Sequence, residues 1–220
     1  MFQDLQSAEN SPSAVIEPAS LSVIDESWKE SWGASIKSKK IRSAIEATSR
    51  LADRLKQKIV DQAGLEFGLE PSNVNTNTEL LYDQLPEKQK TLVSTYINTS
   101  RDIIFRQIGL ILFSSTIKSL LNSRKAQDLI KSLHKEDIRF ALDFLDFSLI
   151  DYGLEPVELQ QQIDKVGHTS IFIWAQSFPS DIALDLMIRI PKIEISSEYL
   201  SDKEAVTTAV EMVLERNNGS

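Results

Sequence analysis

The sequence predicts a mainly α-helical fold: a single multi-helix orthogonal bundle around a central buried helix, with a mobile N-terminal tail. Three observations lead there. Residues 103–113, IIFRQIGLILF, are apolar at almost every position, and a helix apolar all round is one wrapped by other helices. Apolar residues recur at helical spacing along most of the remaining chain, as at Ile41, Ile45, Leu51, Leu55 and Ile59. Glycine and proline punctuate the pattern at Gly64, Gly68, Pro86, Gly153, Pro156 and Pro179, where helices stop or restart.

The bulk numbers agree with one domain. A chain of 220 residues with 41% hydrophobic and 25% charged content buries an ordinary core. Its net charge of −8, from 32 acidic and 24 basic residues, creates no general attraction for nucleic acid or an anionic membrane. The absence of cysteine excludes disulfides and thiolate chemistry. The opening MFQDLQSAENSPSAV has no basic region followed by an apolar run, so no signal peptide is expected there. No stretch has the length and purity of a transmembrane helix.

In order, residues 1–20 are rich in Ser, Glu, Gln and Pro and are expected to be a disordered tail. A helical domain is expected over residues 21–216, and residues 217–220 should fray. Leu21, Val23 and Ile24 lead to Trp28 and Trp32, four apart and on one helix face. They either anchor this segment on the core or form a partner-binding hot spot. After the basic run KSKK, residues 41–63 form an amphipathic helix stopped by Gly64 and Gly68. A polar loop, PSNVNTNTE, follows. Pro86 and Glu87 open a helix toward the central segment over residues 100–121. Asn98-Thr99-Ser100 is either a break with Ser100 as N-cap or a tolerated polar turn, and continuity with at most a slight bend is favoured. Gly109 in that segment costs about 1 kcal/mol relative to alanine, which implies close backbone packing there.

RKAQDLIKSL and EDIRFALDFLDFSLI are expected to be two further helices, the second widened by Phe140, Phe144 and Phe147. PVELQQQIDKVGHTSIFIWAQSF is a long one, stopped by Pro179. Residues 180–191 are ambiguous. Ile182, Ala183, Leu186, Met187 and Ile190 fit a helix face, whereas Leu184, Leu186, Ile188 and Ile190 alternate like a strand; the Ala, Leu and Met content favours helix. KIEIS suits a short extended piece. Ser201 and Glu204 have capping-box spacing before the last helix, whose narrow apolar face is Ala205, Val206, Ala209, Val210, Val213 and Leu214. The expected core comprises Ile104, Ile108, Leu112, Leu142, Leu145 and Trp174.

Nothing in the sequence carries recognisable chemistry. His134 and His168 lack partners at metal-ligand spacing. There is no glycine-rich phosphate loop, no G-x-S-x-G and no H-E-x-x-H. Asp143, Asp146 and Asp151 read as the solvated side of a helix. No catalytic residue, metal, cofactor or small-molecule substrate is therefore expected. No aromatic–basic interleaving marks a nucleic-acid groove. The candidate partner-binding residues are Trp28 and Trp32, as aromatic anchors, and Glu204, Glu211 and Glu215, as an acidic surface for a basic partner.

Four segments nevertheless resemble one family. They are RQIGLILFSSTIKSLL (residues 106–121), IKSLHKEDIRFAL (130–142), the pair GHTSIFIWAQSFP and ALDLMIRIP (within 167–191), and DQAGLEFGLEP (61–71). In order and spacing they are similar to the SctK family of bacterial type III secretion, also called YscK or OrgA/MxiK. That family has a glycine-leucine central helix, a short L-x-x-L helix and a Trp-bearing helix followed by a proline and a leucine-arginine-leucine-proline-like ending. Here the ending is Ile188-Arg189-Ile190-Pro191. The likeness spans residues 51–191 and is one of apolar positions. It implies a non-enzymatic adaptor of the sorting platform, in the bacterial cytoplasm at the cytoplasmic face of the inner membrane. Its implied partners are the inner-membrane ring protein SctD and the pod protein SctQ, without nucleic acid or membrane insertion. A secretion chaperone or regulatory helical binding module is the alternative, and an enzyme with an unrecognised helical site a third reading.

Overall fold

The structure, a computed structural model, describes residues 16–17, 19–32, 44–45, 47–70, 78–151, 153–192 and 201–218. Among these residues there are eleven α-helices and no strand. In chain order they are α1 (Glu26–Trp32), α2 (Ser49–Phe67), α3 (Thr78–Asp83), α4 (Glu87–Asn98), α5 (Arg101–Leu112), α6 (Ser114–Leu121), α7 (Ala126–Ser132), α8 (Lys135–Leu142), α9 (Pro156–Ala175), α10 (Ser180–Met187) and α11 (Lys203–Asn218). A 3-10 turn at Leu145–Phe147 follows α8.

The centre is a crossing of α5 and α9. A Cβ placed on Gly109 would overlap the carbonyl of Ile163, and one on Gly167 would overlap the carbonyl of Phe105. Each glycine thus admits the backbone of the opposite helix one turn from the other glycine. Ile104, Ile108, Leu112, Ile163, Ile171 and Trp174 fill the space around the crossing and are fully enclosed. The close packing expected at Gly109 is present, with Gly167 as its counterpart.

The continuous central helix expected over residues 100–121 is divided. Thr99 is extended, so α4 and α5 are separate helices. At Phe113 the chain turns, and α5 and α6 are bent by 67°. The reason is an insertion from elsewhere in the chain. The carbonyl of Leu112 accepts the amides of Leu149 (3.2 Å) and Ile150 (3.0 Å) and the hydroxyl of Ser148 (3.2 Å). The amide of Ser115 donates to Ser148 Oγ, and Thr116 Oγ1 donates to the carbonyl of Ile150. Residues 148–150 therefore cap the end of α5 and the start of α6 at once, a foreign segment placed in the helix ladder. Those residues are unavailable to extend α8, which stops at Leu142. Leu142 and Leu145, expected in the core, are consequently only partly buried.

Other boundaries also move. Thr48 is extended and precedes α2, which interrupts the helix expected from residue 41; α2 then passes through Gly64 and ends at Gly68, whose φ of 65° is left-handed. At α11 the cap is Asp202, whose carboxylate accepts the amide of Ala205 at 3.0 Å, and not Ser201. At the chain ends, packing extends beyond the expected domain limits. Ile16 and Ala19 are buried, and Asn217 donates to the side chain of Gln107 and to the carbonyl of Val213. Residues 1–15, the polar stretch 71–77, KIEIS beyond Lys192 and residues 219–220 lie outside the described residues.

The segment at 180–191 forms α10 and then a turn, as composition favoured. Its strand-like alternation has a packing origin. Ile182, Leu186 and Ile190 face the main core, while Leu184 and Ile188 belong to a second cluster with Ala19, Leu21, Ile24, Trp28, Leu55, Ile59 and Ala63. A helix sandwiched between two cores is apolar on opposite sides.

Candidate interaction surfaces

Trp28 belongs to the second cluster and is 1% exposed. Its indole N–H donates to the carbonyl of Ile190 at 2.9 Å, and its ring meets Phe67 edge-on at 5.8 Å. The ammonium of Lys192 lies 5.3 Å from the ring centroid. The hot-spot reading of Trp28 is thereby corrected: the indole is enclosed by α10 and α2, and anchors the N-terminal segment to its own domain. The side chain of Trp32 lies outside the described residues.

Glu204, Glu211 and Glu215 line one stripe of α11, at intervals of seven and four residues. Glu204 and Glu215 are exposed and Glu211 is half-buried. Lys88 of α4 sits 2.9 Å from Glu211 and 3.1 Å from Glu215. Hydrogen bonds to these two carboxylates push the Lys88 ammonium above its ordinary pKa. The two glutamates thus already clip α4 to α11. Glu204 stands beyond the clip, on a shallow groove of about 500 Å³ that also borders Ile173, Gln176, Ser177 and Thr207.

The best-formed polar group is one that sequence reasoning missed. Asp185 of α10 and Arg189 form an ion pair at 2.9 Å, with side chains 4% and 5% exposed. Asp185 Oδ1 accepts the amide of Ala19 at 2.7 Å, and Oδ2 accepts the hydroxyl of Tyr82 at 2.8 Å. Arg189 Nη2 also donates to the carbonyl of Glu17 at 2.7 Å. Burial, followed by the adjacent Asp185 charge, raises the Tyr82 phenol far above its usual range. Two of these contacts are to the backbone of Glu17 and Ala19, so the arrangement latches the N-terminal segment to α10. The signal was an Asp and an Arg four apart inside the apolar run ALDLMIRI.

His168 is half-buried with its ring centroid 3.8 Å from that of Phe105. Desolvation holds its imidazole below the usual pKa, outweighing the opposing pull of Asp164, Asp102 and Asp25. On the same flank Arg106 bonds Asp137 at 2.8 Å, tying α5 to α8, with Asp164 at 3.6 Å. Asp143, Asp146 and Asp151 are exposed. Among the described residues no group of three His, Asp or Glu side chains is placed to hold a metal ion, and no single helix is long and apolar enough to cross a membrane.

Comparison of the chain with protein-family models, with curated proteins and with solved structures finds no match.

Proposed function

We propose that this protein is a non-enzymatic adaptor of a bacterial type III secretion sorting platform, joining the cytoplasmic domain of the inner-membrane ring protein to the pod protein SctQ. The observation that carries the reading is where the SctK-like segments lie. Residues 106–121, 130–142 and 167–191 run through α5 to α8 and through α9 and α10, on both sides of the Gly109–Gly167 crossing. In these three segments the resemblance rests mainly on core-forming positions, which suits a rigid spacer that acts by surface contact; the fourth, residues 61–71, lies at the end of α2, where Leu65 is exposed. The acidic stripe of α11 supplies one such surface, with Glu204 its end outside the Lys88 clip, and charge there governs the rate and salt dependence of association. The working location is the cytoplasmic face of the inner membrane. Affinity capture of the full chain from native cells, with identification of what co-purifies, tests this. Recovery of the ring protein and the pod protein together is expected. Recovery of a single secreted substrate instead establishes the chaperone reading, and recovery of neither set removes the secretion assignment.

A further inference from the structure

The chain is electrically lopsided. Residues 37–58 hold eight Lys or Arg against two Asp or Glu, while the other 198 residues hold 16 against 30. The described part of this basic stretch is residues 44–45 together with residues 47–58, which run into the N-terminal half of α2. There Ile45, Leu51 and Leu55 form an apolar groove of about 490 Å³, rimmed by Arg54, Gln57 and Lys58. Leu51 is 45% exposed, and further along the same flank of α2 Leu65 is 86% exposed. Positions 51, 58 and 65 repeat every seven residues, so the exposed apolar and basic groups make one stripe about 21 Å long. None of Arg50, Arg54, Lys56 and Lys58 has an ion-pair partner among the described residues, although the chain carries a large excess of carboxylates.

We propose that this groove along α2 is a docking site for an acidic amphipathic helix of a partner protein. Its apolar floor accepts aliphatic side chains at positions i, i+3 or i+4 and i+7, and Arg54 and Lys58 meet the carboxylates that flank them. The floor argues against nucleic acid, since phosphate gains nothing from leucine. A membrane surface is disfavoured because Leu55 is recessed and buried, so the apolar groups form a concavity. This inference stands on α2 and the adjacent Ile45, and not on the secretion reading; an acidic helix from any protein satisfies it.

The test places a photoreactive amino acid at position 51 or 65 of the full chain in native cells, and maps the cross-linked segment by mass spectrometry. The expected product joins the groove to a segment of another protein that is acidic and apolar at helical spacing. Arg54→Glu with Lys58→Glu should reduce its yield about fivefold or more while the thermal melt stays unchanged, because rim charges act on association and not on folding. Cross-links to this chain's own residues 1–15, to a second copy, to lipid or to nucleic acid overturn the proposal. So do an absence of cross-links and a yield indifferent to the charge reversal.

Discussion

Asp185 and Arg189 are ion-paired at 2.9 Å in the interior; Asp185 accepts the amide of Ala19 and Arg189 donates to the carbonyl of Glu17. Removing one member of a buried pair leaves an uncompensated charge, which costs about 3–5 kcal/mol. Asp185→Ala is therefore expected to lower stability by about that amount in urea unfolding. Asp185→Ala combined with Arg189→Met should be more stable than Asp185→Ala alone, since the orphaned guanidinium is gone. A double variant no better than the single would show that the latch works through Ala19 and Tyr82 and not through charge.

The glycine crossing makes a prediction of opposite character. Gly109→Ala or Gly167→Ala sets a methyl group against a carbonyl of the neighbouring helix, where backbone cannot yield cheaply. Each should destabilise by about 3 kcal/mol or more. Gly153 has nothing within 4 Å of a Cβ, so Gly153→Ala should change stability by less than about 0.5 kcal/mol. Equal effects at the three positions would place the α5–α9 contact wrongly.

Trp28 separates packing from partner binding. Because the indole is enclosed and bonded to Ile190, Trp28→Ala is expected to cost about 3–5 kcal/mol and to lower the melting temperature. Glu204 is exposed, so Glu204→Lys should leave the melt unchanged and reduce capture of a basic partner. Retention of stability in Trp28→Ala would return the tryptophan to the surface.

His168 gives a pH dependence with a defined sign. Its folded pKa lies below the unfolded value of about 6.5, so the unfolded chain binds the proton more readily. Its contribution is complete above about pH 6.5 and declines as pH falls through that value toward the folded pKa. Urea midpoints measured between about pH 7.5 and 5 should fall, and His168→Gln should flatten the part of the fall that begins near pH 6.5. An unchanged profile in that variant assigns the pH dependence elsewhere.

The helical class, the burial of Ile104, Ile108, Leu112 and Trp174, and the packing role of Gly109 were legible because each follows from local period or glycine cost. The break at Phe113 was not, since its cause, Ser148 to Ile150, lies some 30 residues away in sequence. Leu142 and Leu145 were misplaced for the same reason: the chain that would extend their helix is committed to capping another. Trp28 carried two readings in sequence, and only the position of Ile190 decides between them. At α11 the glutamates sit on one stripe as the spacing implied, but Lys88, which engages two of them, belongs to a helix over 100 residues earlier.

The latch on Glu17 and Ala19 also sets an order of events during synthesis. Ala19 finds its acceptor on Asp185, 166 residues later, and the Trp28 indole finds its own on Ile190, 162 residues later. At about 5–20 residues per second, a ribosome takes roughly ten to thirty seconds to supply them. Throughout that interval the N-terminal segment leaves the exit tunnel with Leu21, Ile24 and Trp28 lacking the α10 face that later covers them. Leu21, Ile24 and Trp28, translated long before α10, are thus among the last residues to reach their native places, and the growing chain presents them to whatever chaperone waits at the tunnel mouth.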